Sequence, residues 1–310
     1  MPELHINGNL VTDITLGGHD VIRINHAVSG TLLWEKPAPP VQSDYLCFTA
    51  GQANSTVSYT SSLSTPPTIY KSTDKTNWTA WDGTSITLAN VGDKIYLYGE
   101  NTNVTGESLL KFSMTGEIAA SGDCTRLLSQ NGYITIPSNA FYGMFRNCTA
   151  LTTAPEITAT TIERLGCASM FWGCTSLTAA PALPATTLAT ACYTEMFYGC
   201  TSMTTGPSVL PATTLASSCY ENMFGGCSAM ENAPELMATQ MASSCYQSMF
   251  ARCSSVESVK VHVSVWDSTN STNWLYNGAA SGTIYAPTGS DIANYSGVNG
   301  VPSGWTVSYY

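Results

Sequence analysis

Charge is what this sequence has least of. Asp, Glu, Lys and Arg together make up 10% of its 310 residues, against about 25% in an ordinary globular chain. The basic side is the poorer: 11 Lys and Arg against 21 Asp and Glu leave a net charge of −10. So little positive charge argues against nucleic acid or an acidic lipid surface as a partner. No stretch approaches the roughly 18 consecutive apolar residues of a membrane-spanning helix, so membrane insertion is not expected. After Met1, Glu3 stands where a secretory signal wants positive charge, and no apolar core of roughly 7–15 residues follows. Folding in a cytosol is expected, with lysis of an infected host as one route out.

Catalytic signatures are missing in the same way. The 11 cysteines contain no C-x-x-C pair, which disfavours a structural zinc site. There is no G-x-S-x-G elbow and no glycine loop of the kind that cradles phosphate. His5, His19, His26 and His262 read as structural or surface residues. The acids are scattered, and no two stand out as the carboxylate pair that glycoside hydrolysis needs. The chain is therefore expected to be no enzyme, with no catalytic residue, cofactor or metal. No heptad run marks a coiled-coil trimer, although β-rich assembly into a homo-oligomer stays open.

Hydroxyls are plentiful instead: 35 Ser and 41 Thr make up a quarter of the chain. The hydrophobic share of 44% is that of an ordered protein. A weakly charged surface rich in Ser and Thr suits a virion or cell exterior better than a metabolic enzyme.

The middle of the chain repeats. Met-Phe followed by Cys three residues on occurs at Met144-Phe145…Cys148, Met170-Phe171…Cys174, Met196-Phe197…Cys200, Met223-Phe224…Cys227 and Met249-Phe250…Cys253, with Met-to-Met spacings of 26, 26, 27 and 26. A second cysteine precedes the Met in four units (Cys167, Cys192, Cys219, Cys245), and Ala140 takes that slot in the first. Such a period predicts a solenoid, because one coil cannot bury its own apolar face and coils must stack to do so. Within a unit, Ala189–Tyr198 reads as a short helix closed by Gly199, with Cys192/Met196 and Tyr193/Phe197 at i,i+4 on one face. Leu177 to Leu183 is the extended half, kept short by Pro181.

The units CYTEMFYGCTSMTTGP and CYENMFGGCSAMENAP, with the LPATTLA segments between units, resemble the BspA-like leucine-rich repeats of surface proteins from Bacteroidales, allied bacteria and some of their phages. The resemblance spans about residues 138–256. It implies a mixed α/β leucine-rich-repeat solenoid of about five coils used for adhesion or recognition, and it brings no catalytic residues. The last unit departs from the pattern, with Leu236-Met237-Ala-Thr-Gln-Met241 in place of Leu-Pro-Ala-Thr-Thr-Leu.

Turn signals at Asn7-Gly8, Gly17-Gly18 and Ser29-Gly30 predict β-hairpins before the stiff Lys36-Pro-Ala-Pro-Pro40 linker. This start resembles the β-rich docking segments that open some phage tail and fibre proteins. Short strands such as Lys94-Ile-Tyr-Leu-Tyr98 predict a β-sandwich next, and Val259–Trp266 alternates as a β-rich cover for the solenoid end. The boundaries expected are 1–40 for the hairpin module and linker, 41–125 for the sandwich, 126–256 for the solenoid and 257–310 for the C-terminal cap. The cysteines read as reduced thiols in buried ladders, although stacked neighbours would sit within disulfide reach. Sequons at Asn54, Asn77, Asn103, Asn147 and Asn270 follow from the Thr-rich composition.

From Leu165 to Ala251 no Lys or Arg occurs in 87 residues. That surface suits neutral sugars or protein. The position after each Phe varies between units (Arg146, Trp172, Tyr198, Gly225, Ala251), and Arg146, Trp172 and Tyr198 are the candidate recognition patch. The function expected is that of a phage virion protein whose N-terminal module docks on other virion proteins while the solenoid meets a host-surface glycan or protein. A bacterial cell-surface adhesin is the alternative.

Overall fold

The computed structural model describes residues 44–102 and 108–310 in full, and before them the backbone of four strands, His5–Ile6, Asn9–Thr12, Arg23–Asn25 and Leu32–Glu35. The turn residues named above, the Pro-rich linker, His19, His26 and the Asn103 sequon lie outside the described residues. The four strands pair antiparallel in chain order as one sheet. The chain divides into two compact units, Met1–Ser43 and Asp44–Tyr310.

The second unit opens with two facing sheets. One has six strands, in the order Leu151–Thr153, Ile118–Ser121, Leu46–Ala50, Lys94–Gly99, Ile69–Ser72 and Thr79–Ala80. The other has three: Lys111–Thr115, Ser55–Thr60 and Ile86–Leu88. Period-two alternation drives this packing, since Ile95 and Leu97 are buried while Tyr96 and Tyr98 stay half-exposed. Between the sheets, the rings of Phe48 and Phe112 meet edge to face at 4.9 Å. Tyr59 packs on Trp81 at 4.8 Å and its hydroxyl donates to the Trp81 carbonyl at 2.8 Å. Gly83, at φ +90°, lies so close that a Cβ would stand 2.4 Å from the Tyr59 carbonyl, so only glycine fits.

The helix predicted for Ala189–Tyr198 does not form. Among the described residues the only helical turns are two 3-10 segments, Cys124–Leu127 and Ile292–Asn294, and the protein is nearly all β. The repeat is a solenoid, but a β-solenoid of about seven turns, not an α/β leucine-rich repeat of five. The supposed helical half is a string of overlapping β-turns. Cys192, Thr194, Met196, Tyr198 and Cys200 each donate a backbone N–H to the carbonyl three residues back. The residues between them, Ala191, Tyr193, Glu195, Phe197 and Gly199, donate instead to carbonyls of the next coil at Ser217, Cys219, Glu221, Met223 and Gly225. Every N–H of the tract is thus used, alternately within and between coils, which satisfies the buried backbone as a helix would and adds a bond to the neighbour. The buried side chains come in pairs, Cys192-Tyr193 and Met196-Phe197, with Cys200 next, a period of four that mimics the i,i+4 face of a helix. Left-handed residues recur at the same interval: Ala191 at φ 56°, Glu195 at 55° and Gly199 at 73°. Gly199 is one member of that row, not a helix C-terminus. A non-glycine residue held there costs about 1–2 kcal/mol.

The extended half supplies two-residue strands that stack in parallel, Thr135–Ile136 on Thr161–Ile162 on Thr187–Leu188, then Val209–Leu210 on Glu235–Leu236. Inside run three ladders. Phe112, Phe145, Phe171, Phe197, Phe224 and Phe250 stack with centroids at 5.1, 5.3, 5.3, 5.6 and 5.6 Å, and Trp274 ends the row edge-on at 6.4 Å. Tyr193, Tyr220, Tyr246 and Trp266 form a second row. The thiols of Cys148, Cys174, Cys200, Cys227 and Cys253 donate to the carbonyls of Phe112, Phe145, Phe171, Phe197 and Phe224, at 3.3, 3.0, 3.1, 3.1 and 3.0 Å. All 11 cysteines are free and buried.

Winding continues past Cys253 although the Met-Phe motif stops. Tyr246, Ser248, Phe250 and Arg252 donate backbone N–H groups to Asn270, Thr272, Trp274 and Tyr276, and Ser258–Lys260, Gly282–Ala286 and Trp305–Tyr309 pair in parallel. The long strand predicted over Val259–Trp266 is cut to Ser258–Lys260, because the chain must turn at every coil corner. At the other end the sandwich joins the stack directly: Leu151–Thr153 pairs in parallel with Ile118–Ser121, and Phe112 is the first rung under Phe145.

The hydroxyls of Tyr193, Tyr220 and Tyr246 are buried without a hydrogen-bond partner. Phe141 fills the equivalent place in the first unit, so the ring alone suffices there. Tyr220→Phe should therefore leave stability unchanged or raise it by about 1 kcal/mol, since a buried unpaired hydroxyl carries a desolvation cost. Phe197→Ala should cost about 3–5 kcal/mol by opening a cavity in the ladder. Urea denaturation of both variants checks this; a Tyr220→Phe chain as unstable as Phe197→Ala would show that the hydroxyl has a role.

Candidate functional site

Turn geometry points two residues inward and the next two outward, and the residue after each ladder Phe is the first of an outward pair. The 26-residue period then sets these residues one above another. Arg146, Trp172 and Tyr198, separate in sequence, become one column. The Arg146 guanidinium carbon stands 4.4 Å from the centroid of the Trp172 ring. Trp172 and Tyr198 stack at 5.9 Å, 9° from parallel. All three are half-buried. Next in the column is Gly225, where a Cβ would lie 2.8 Å from the Tyr198 ring, so glycine is what lets that ring lie against the coil. Ala251 is half-buried and Tyr276, 42% exposed, closes the row. The predicted patch is thus one contiguous stack, its ring faces engaged with each other and its edges reaching solvent. A cation over a ring at an exposed site is worth about 0.5–1 kcal/mol.

Arg146 also borders a cleft of about 480 Å³ where the first coil meets the sandwich. The opposite wall comes from Thr60, Ser61 and Lys111.

A second aromatic surface escaped the motif search. Tyr45, Tyr70, Trp78 and Tyr98 cluster on the outer side of the six-stranded sheet: Tyr70 stacks on Tyr98 at 4.8 Å, and Trp78 touches Tyr98 and Tyr45 at 4.7 Å. Lys75 lies 4.6 Å from the Tyr96 centroid and is paired with Asp44. The signal was in the alternation Lys94-Ile-Tyr-Leu-Tyr98, whose polar-side positions carry rings. Trp78 and Tyr45 come from elsewhere in the chain and no spacing announces them.

The thiols offer no nucleophile. Burial pushes Cys148 and Cys200 up to about 12 and Cys245 to about 11, so all three are protonated at neutral pH. Among the described residues no three His, Cys, Asp or Glu side chains gather as a metal site, and no helix is long and apolar enough to cross a membrane. No family model, curated protein or solved structure matches the chain.

One charged cluster lies on the extended face. Glu235 Oε1 accepts from Lys260 Nζ at 2.8 Å and lies 2.7 Å from His262 Nε2, with the Tyr310 ring over Lys260 at 4.9 Å. The hydrogen bonds from Lys260 first, and His262 second, hold the Glu235 carboxyl below its usual range. A depressed carboxyl stabilises the fold above its unfolded range and loses that contribution as pH falls through the folded value. Glu235→Gln should therefore lower the melting temperature at neutral pH, and the gap from the parent should close as pH falls through the lowered folded value. A gap that stayed constant with pH would assign the effect to packing instead of charge.

Proposed function

We propose that the chain is a non-enzymatic structural and recognition protein, a phage virion component of tail or fibre type, whose solenoid presents a binding surface to a host-surface glycan or protein. The observation that carries this reading is the Arg146–Trp172–Tyr198 column: large rings and a cation held on a rigid ladder at the surface, where solubility alone would favour small polar residues. The Ser- and Thr-rich, weakly charged exterior supports a role outside a cell. The four-stranded N-terminal sheet, a unit of its own, is the segment assigned to docking on other virion proteins. The resemblance of the repeat units to BspA-like surface proteins supports the second reading, a bacterial cell-surface adhesin.

Mass spectrometry of purified particles separates the two. Presence at a fixed ratio to the capsid protein is the outcome for a virion component; absence from particles, with the protein on uninfected cells, would move it to the adhesin class. Deleting residues 1–36 should abolish incorporation while the remainder still folds, and normal incorporation of the shortened chain would overturn the docking role. Trp172→Ala should weaken adsorption to host cells about tenfold or more, as loss of a central anchor does, while costing only about 1–2 kcal/mol of stability from its two stacking contacts, so the chain stays folded.

A further inference from the structure

Two basic side chains, scarce in this acidic protein, line the cleft between sandwich and first coil. Nine Lys and Arg fall among the fully described residues, and two of them, Lys111 and Arg146, line this one opening. They are brought together by the hydrophobic rung beneath: Lys111 precedes Phe112, Arg146 follows Phe145, and those two rings stack at 5.1 Å. Neither cation has a carboxylate partner among the described residues, and none of the described lining residues is acidic. The Arg146 guanidinium carbon lies 4.4 Å from the Trp172 ring centroid, and a guanidinium resting on a ring still has N–H donors of its fork for a carboxylate. Around this pair the walls carry hydroxyls, from Thr60, Ser61, Ser62 and Ser108, and the ring of Tyr142, which is 40% exposed.

We propose that this cleft binds an acidic saccharide, a glycan bearing uronic-acid-type carboxylates. Lys111 and Arg146 hold the carboxylate, Tyr142 takes the apolar face of a sugar ring, the hydroxyls of Thr60 and Ser62 meet sugar hydroxyls, and those of Ser61 and Ser108, which donate to the Leu109 and Tyr142 carbonyls, accept from them. The inference rests on the recognition reading above and names its ligand class. A hydroxyl-lined wall favours a polyhydroxylated ligand over an acidic peptide, whose backbone and side chains would need more amide partners than this lining offers.

The test is calorimetric titration of the full chain with a galacturonic-acid tetramer, the same tetramer with its carboxyls reduced to alcohols, and a short polyglutamate. The acidic tetramer should bind. Reducing its carboxyls should weaken binding at least about tenfold, as should Lys111→Gln and Arg146→Gln, with Arg146→Lys between them and the parent. Affinity should also fall with added salt. Melting curves of the variants separate lost binding from lost folding, and Lys111 is exposed, so its variant keeps the test open even if Arg146→Gln unfolds. Equal binding of the reduced tetramer would overturn the carboxylate clamp while leaving sugar recognition standing. Polyglutamate binding as tightly, and failing in the same variants, would overturn the saccharide assignment. No binding of the acidic tetramer would overturn the inference outright; the recognition reading is judged separately, by particle composition and host adsorption.

Discussion

The backbone bond from one coil to the next is the constraint on which the remaining structure depends. Alternate N–H groups of each turn tract reach across to the following coil, which fixes the register of equivalent residues to within a hydrogen bond. Once register is fixed, like must stack on like. Phenylalanine falls on phenylalanine within a few degrees of parallel, and each thiol meets the carbonyl of the previous ladder Phe. The core is therefore a set of columns, and each column asks only that one residue type fit its own copies.

The same constraint explains the choice of cysteine. A site beside a carbonyl that faces inward wants a small apolar group with a weak donor, and a thiol supplies both. Serine would bring a stronger donor but a larger desolvation cost, and alanine would leave the carbonyl one partner fewer. Burial raises these thiols well above neutral pH, so they sit as packing elements.

At the junction the solenoid and the sandwich share one core. Phe112 is both the sandwich ring that meets Phe48 and the first rung of the ladder. Asp123, buried there, is satisfied by Thr125 and Thr158 hydroxyls at 2.6 Å each, so the polar seam costs little. An open solenoid end exposes backbone groups that invite association, and the sandwich covers one such end. The cleft holding Lys111 and Arg146 exists only because the two architectures meet at this rung.

The repeat, its period and the list of inward residues were legible in the sequence, because columns of Met, Phe and Cys recur wherever a coil closes. Arg146, Trp172 and Tyr198 were legible as a column for the same reason: a constant period places equivalent positions together whatever the coil geometry. The path of the chain within a coil was not legible. Pairs at i,i+4, such as Cys192/Met196, suit a helical face and a four-residue turn repeat equally well, and only the partner coil, by accepting every second N–H, decides for turns. The last coils were hidden because Trp266 and Trp274 take ring positions under another motif. Nor does any local pattern announce that Lys111 would stand beside Arg146. That neighbourhood is made by Phe112 stacking on Phe145 across 33 residues of chain, and hydrophobic burial of this kind selects partners by shape and space, which sequence order does not encode.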